Sequence, residues 1–178
     1  MDVSRYGERN GGYVYRVITT VLGAPGSGKT TAAHLLPSLL PGHVVLDWDA
    51  FMAPAAALAG HDIRQQPETW PAYRQLIRAV VDIVAHLPVV LLSVCTPDDL
   101  RDWPIGAWIL LDCADDVRER RLGPGYDRAQ LAEAHADARR YRALGLPVID
   151  ATNQAPADVA TELARFVQAR EHPDSPTH

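Results

Sequence analysis

Apolar residues gather in five short runs along this chain, at residues 17–22, 43–46, 88–95, 107–112 and 147–150, with enough chain between them for helices. The first and third, VITTVL and PVVLLSVC, are β-branched and free of charge, as strands covered on both faces are. Such runs alternating with helical stretches predict an α/β fold, a five-stranded parallel sheet flanked by helices and joined by right-handed crossovers.

Helical periodicity is clearest between residues 67 and 87. There Trp70, Tyr73, Leu76, Ile77, Val80, Val81 and Val84 recur at helical spacing, which predicts an amphipathic helix laid over the sheet. The stretch before it, FMAPAAALAGHDIRQQ, is apolar without a period and is expected to be weakly structured. Residues 30–40, TTAAHLLPSLL, read as a helix whose last turn Pro37 kinks or shortens. No repeat or boundary interrupts the pattern. Residues 1–178 are therefore read as one domain, with about 1–14 and 171–178 expected to be flexible.

Composition narrows the class. A chain of 178 residues, 47% of them hydrophobic, is long enough for a real core. No apolar run approaches the roughly 20 residues of a membrane span, and the opening MDVSRYGERNGGYVYR lacks the apolar stretch of a secretory signal. A cytoplasmic location without a membrane partner is expected. The net charge of −5 argues against a nucleic-acid partner. Cys95 and Cys113 end two apolar runs without metal-ligand spacing and read as buried thiols.

Of the 17 lysines and arginines, only Lys29 is a lysine, and it stands in GAPGSGKTT, residues 23–31. A Gly-rich loop between a strand and a helix curls its N–H groups around a phosphate, and the helix N-terminus adds partial positive charge. A compact ammonium reaches the β- and γ-phosphates there as a point charge, where a planar guanidinium does not fit. The spacing of Gly23, Gly28, Lys29 and Thr30 satisfies the P-loop pattern, with the Thr30 hydroxyl placed for Mg²⁺. The second apolar run leads into DWDAF, which puts Asp47 and Asp49 at the carboxyl edge of the sheet, beside the loop. In an extended segment both carboxylates share one face and Trp48 takes the other. Two carboxylates facing a triphosphate need a divalent cation or an acceptor hydroxyl between them, which points to phosphoryl transfer.

These residues resemble the P-loop small-molecule kinases, the group that includes shikimate kinase, gluconate kinase and chloramphenicol phosphotransferase. GAPGSGKTT is similar to the group's phosphate loop and DWDAF to its aspartate after the second strand. LDCADDVRERRL resembles the fourth strand and the beginning of the lid, and VIDATNQAPADVATEL resembles the last strand, the adenine-side loop and the closing helix. The resemblance implies sheet order 2-3-1-4-5, a short arginine-rich lid, Mg²⁺, and ATP or GTP as phosphoryl donor. It assigns nucleotide binding to Gly23, Gly26, Ser27, Gly28, Lys29, Thr30, Thr31, Arg118, Arg121, Thr152 and Asn153. Asp49 becomes the base for the acceptor hydroxyl, and Asp47 holds Mg²⁺ through water together with Thr30. The third run departs from the pattern: Ser93 stands near the place of its terminal acid, and Asp98 and Asp99 are expected to cap a helix.

DDVRERRLGPGYDRAQLAEAHADARRYRAL carries seven arginines between two helical stretches. A lid of this kind excludes water and brings guanidinium groups to the transferring phosphoryl. Arg121 and Arg128 are assigned to catalysis with Lys29 and Asp49. Many of the arginines in this stretch also read as helix charges that pair with acids such as Glu119, Asp127, Glu133 and Asp137.

The residues after Asp49 bear on the acceptor. A nucleoside monophosphate kinase must hold its acceptor's phosphate, yet no basic residue occurs between Asp49 and Arg64, and only Arg101 comes after the third run. The acceptor wall is therefore expected to be apolar, with Trp48, Phe51, Met52, Trp70 and Trp103 available. Asp49, Phe51, Met52 and Arg64 are assigned to the acceptor. The expected reaction is phosphoryl transfer to a hydroxyl of a largely uncharged small molecule, an antibiotic among the candidates. Two other readings stay open: a nucleoside or nucleoside monophosphate kinase, and a P-loop NTPase switch without an acceptor. The oligomeric state is not legible.

Overall fold

The computed structural model describes residues 18–171. The end segments expected to be flexible fall outside that range, except that the last helix continues through Arg170 to Glu171. Five parallel strands, β1 (Ile18–Leu22), β2 (Val44–Asp47), β3 (Val89–Ser93), β4 (Ile105–Asp112) and β5 (Val148–Asp150), form one sheet in the order β2-β3-β1-β4-β5. β1 and β3 are buried at every position, which is why both read as continuous apolar runs.

Alternation along the strands divides the core between two faces. Val21, Val90, Leu92, Ile109 and Leu111 pack under α1 (Lys29–Leu39) and α6 (Pro156–Glu171). Ile18, Leu46, Val89 and Leu91 pack under α2 (Met52–Ala59) and α3 (Trp70–Val84). α4 (Asp115–Leu122) and α5 (Arg128–Arg142) come after β4, and α5 sets Ala138 and Tyr141 against Leu22 and Leu110. β1 runs on to β2 on one side of the sheet, while β3 crosses to β4 on the other. The carboxyl ends of β1 and β3 therefore flank the crevice where such sheets bind ligands.

Three local expectations change. Residues 51–66 are structured: a 3-10 turn at Trp48–Phe51 leads into α2, which ends at Gly60 in the left-handed region, and 3-10 turns at Ile63–Gln65 and Pro67–Thr69 come next. α2 is nearly all alanine and leucine, a strong helix former with no polar face to give it a period. Pro37 lies inside α1 without ending it, because the Leu40 N–H still reaches the Leu36 carbonyl at 2.9 Å. Asp99 caps a turn, not a helix, its carboxylate accepting from the N–H and hydroxyl of Thr96 at 2.8 and 2.7 Å.

Candidate active site

The phosphate loop is the link from β1 to α1. Its first residue is pinned to β3 by the Gly23 N–H on the Ser93 carbonyl at 3.2 Å. Gly23 admits no side chain: a Cβ would lie 2.5 Å from Ser27 Oγ and 2.9 Å from the Leu111 carbonyl oxygen. Gly28 caps α1 at φ 107°, a left-handed conformation that suits glycine, and offers no side chain to the first-turn N–H groups, which have no partner within the helix. Lys29 is buried, and its Nζ donates to the Gly23 carbonyl at 2.6 Å and the Ala24 carbonyl at 3.4 Å. Burial pushes its pKa below the ordinary lysine value, against the opposing pull of Asp49 and Asp47.

The loop opens into a cavity of about 1530 Å³ at the carboxyl edge of the sheet. Gly26, Ser27, Gly28, Lys29, Thr30, Thr31 and Arg121 line it on the loop side, and Asp49, Met52 and Arg64 line it on the other. Arg121 lies across the loop, donating to the carbonyls of Ser27 at 3.3 Å, Gly26 at 3.4 Å and Ala151 at 2.7 Å. Ala151 and Gln154 line the cavity on the β5 side. The Met52 sulfur accepts from Arg64 Nε at 3.1 Å.

Extended backbone stops at Asp47, so Asp47 and Asp49 do not share a strand face. Asp47 accepts from the Asp49 N–H at 3.0 Å and starts the 3-10 turn, which sends Asp49 toward the large cavity. Asp47 instead lines a smaller cavity of about 430 Å³, where Thr30, Asp49 and Phe51 meet it. A threonine hydroxyl with two carboxylates is an all-oxygen set that fits Mg²⁺, an ion usually held by one or two carboxylates plus phosphate oxygens and water. Trp48 points into the core, edge-on to Tyr73, whose hydroxyl donates to the Trp48 carbonyl and ties α3 beneath the turn.

Several assigned residues lie elsewhere. Gly23 is structural, beneath the loop. Arg118 is fully buried behind it and reaches neither cavity. Arg128 opens α5 outside the cavity wall, where Asp127 and Gln130 form a capping box around the helix start. Thr152 is engaged internally, accepting from the Ala114 N–H at 2.8 Å and donating to Asp150, and Asn153 is exposed off the cavity. Phe51 lines only the smaller cavity.

The wall opposite the loop is mixed, not wholly apolar. Trp48, Met52 and Trp70 line it as expected, but Trp103 turns away to pack on Trp48. Arg74 from α3 and Asp137 and Arg140 from α5 join Asp62 and Arg64 in the wall. Arg74 donates to the Asp99 carbonyl at 3.0 Å, and Arg140 pairs with Asp137 at 3.0 Å. Burial raises the pKa of Asp137, with Arg140 and Lys29 pulling the other way. Helical spacing could have flagged Arg74, which sits off the core face that Tyr73, Ile77 and Val81 define. Of the acids expected to pair with arginines, Asp137 does so; Arg120 pairs with Asp116 and Arg142 with Asp112 and Asp115. Cys95 and Cys113 are free and buried, the Cys95 thiol pushed up to about 12 by burial.

No protein-family model matches this chain, and no curated protein matches it. Solved structures do. The chain is similar to the tunicamycin resistance protein of Deinococcus radiodurans at 20% identity and TM-score 0.65, over 85% of this chain and 95% of that one. It is similar to a gluconokinase of Sinorhizobium meliloti 1021 at 18% identity and TM-score 0.59, over 90% and 98%. It is also similar to the shikimate kinase of Acinetobacter baumannii, solved with shikimate, at 15% identity and TM-score 0.61, over 88% and 95%. Sheet order, phosphate loop and these likenesses agree: the chain has the P-loop kinase fold.

Proposed function

We propose that this chain is a small-molecule kinase that transfers the γ-phosphoryl group of ATP or GTP to a hydroxyl of a small acceptor. The observation carrying this reading is that Asp49 lines the same cavity as Lys29 and Thr30. At about 1530 Å³ that cavity exceeds the roughly 300–1,000 Å³ of a single small-molecule site, which leaves room for donor and acceptor together.

In this reading the N–H groups of Gly26 and of Gly28 to Thr31 hold the β- and γ-phosphates, while the Ser27 N–H stays on the Ala24 carbonyl at 3.2 Å. Lys29 leaves the carbonyls of Gly23 and Ala24 for the phosphate oxygens. Thr30, which lines both cavities, and Asp47 from the smaller one are the residues that would hold Mg²⁺, which would supply charge neutralisation at the phosphates. Asp49 accepts the proton of the attacking hydroxyl and points its oxygen at the γ-phosphorus. Arg121 turns its guanidinium from the loop carbonyls toward the transferring group.

The wall supports an acceptor with polar or charged substituents over a largely uncharged one, since Arg64, Arg74, Arg140 and Asp62 face it. Likeness to a tunicamycin resistance protein supports keeping antibiotics in the class. A panel of sugars, hydroxy acids, nucleosides and antibiotics, read by ADP or GDP release against a blank without acceptor, tests the proposal. Release above the blank, with a phosphorylated product, is expected. Nucleotide hydrolysis at one rate with every compound favours the NTPase switch instead.

A further inference from the structure

We propose that Arg118 is a positioning residue of the phosphate loop, and that Asp112 links it to Arg142 so that the loop and α5 are held from one carboxylate. The inference rests on reading residues 23–31 as a nucleotide-phosphate site, and not on the identity of any acceptor.

Arg118 is a charged side chain with no exposed surface. Its Nη1 donates to the Pro25 carbonyl at 2.6 Å, and its Nη2 donates to Asp112 Oδ1 at 2.6 Å and the Cys113 carbonyl at 3.3 Å. The loop also rests on this residue, because a Cβ at Gly26 would meet Arg118 Cγ and Leu122 Cγ at 3.0 Å each. For stability alone an apolar residue of similar volume serves as well as a buried ion pair, or better. An apolar residue cannot, however, hold a carbonyl. A trans peptide unit is planar, its C=O and N–H pointing in opposite directions. Arg118 draws the Pro25 carbonyl to the back of the loop, so the Gly26 N–H is turned to the front, toward the cavity. That N–H has no partner among the described residues and is left for a phosphate oxygen.

Asp112, at the end of β4, shares its carboxylate between two arginines. Arg142 at the end of α5 gives Nε to Oδ2 at 2.5 Å and Nη2 to the Cys113 carbonyl at 2.9 Å and Asp115 Oδ1 at 3.0 Å. Since α5 carries Asp137 and Arg140 into the cavity wall, this pair of arginines sets that wall relative to the loop.

Calorimetry of the full chain with MgADP, beside thermal melting without nucleotide, tests the proposal. Arg118→Met keeps the bulk and removes the donors, and the charge-assisted bond it loses predicts affinity lower by about 10-fold or more. Arg118→Lys recovers part of that loss. If Arg118→Met does not fold, Arg142→Gln carries the test, because its side chain is 37% exposed and its change leaves the Arg118 packing in place. A several-fold loss of MgADP affinity is expected there. Wild-type affinity in the variants that fold, whatever their melting temperatures, overturns the proposal. Wild-type protein that binds no nucleotide overturns the kinase reading as well.

Discussion

Lys29 was legible because everything that defines it is contiguous: a strand, glycines, one lysine and a helix in a single run of sequence. Its Nζ, held at two carbonyls, predicts that Lys29→Ala abolishes turnover and that Lys29→Arg does not restore it, the guanidinium being too broad for a site built around a point charge. Near-wild-type steady-state turnover of Lys29→Arg contradicts this. Arg118 was misplaced because a run of charges does not say which residue faces inward. The signal was present all the same, since Arg118 follows the apolar Val117 and lies four residues before Leu122, on the helix side that α4 turns inward. Asp137 has a direction with respect to pH. Its pKa is raised in the fold above 3.8, so the folded state holds the proton more tightly than the unfolded one, and stability falls as pH rises through that window. Asp137→Asn should therefore melt higher than wild type at neutral pH, with the difference closing below 3.8. Melting curves across pH check this; an equal gain at every pH contradicts it.

At the scale of elements, the strands lie within one or two residues of the apolar runs, most plainly β1 and β3, where burial on both faces writes an unbroken apolar run; β2 and β5 are only partly buried and show as shorter runs. α2 was missed for the converse reason. Its helix comes from alanine propensity and a glycine stop, and neither produces a hydrophobic period. The 3-10 turn at Trp48–Phe51 was also invisible, yet it separates Asp49 from Asp47 and so separates their roles. The short link from α4 to α5, a 3-10 turn at Gly123–Gly125 and then Tyr126, lines the cavity through Tyr126 and is the segment that would close as a lid in the proposed kinase; it carries no arginine itself, because the arginines expected there lie in α4 and α5. A segment that closes over a nucleotide is expected to exchange its amides readily alone and to gain protection when nucleotide is bound. Hydrogen exchange across residues 119–130 with and without ADP measures it, and equal exchange in both states counts against closure.

For the whole molecule, sheet order could be expected from motif resemblance, but the cavity wall could not. Arg74, Asp137 and Arg140 come from two helices far apart in sequence, and only the crossover of the chain around β1 brings them opposite Asp49. The apolar wall expected from the residues after Asp49 was a local reading of a surface assembled from distant parts. Among the described residues no helix is long and apolar enough to cross a membrane. In the proposed kinase two ligands meet in one cavity, with Asp49 acting on the acceptor and the phosphate loop holding the donor. Steady-state transfer to an acceptor found in the panel, together with nucleotide affinity by calorimetry, tests it most directly in Asp49→Asn, with Asp47→Asn beside it as the variant expected to raise the Mg²⁺ requirement. Asp49→Asn should lose on the order of 10²-fold or more in turnover while nucleotide affinity stays within about a few-fold of wild type. Full transferase activity in Asp49→Asn would rule out Asp49 as the base, since the hydroxyl proton would then be taken up elsewhere.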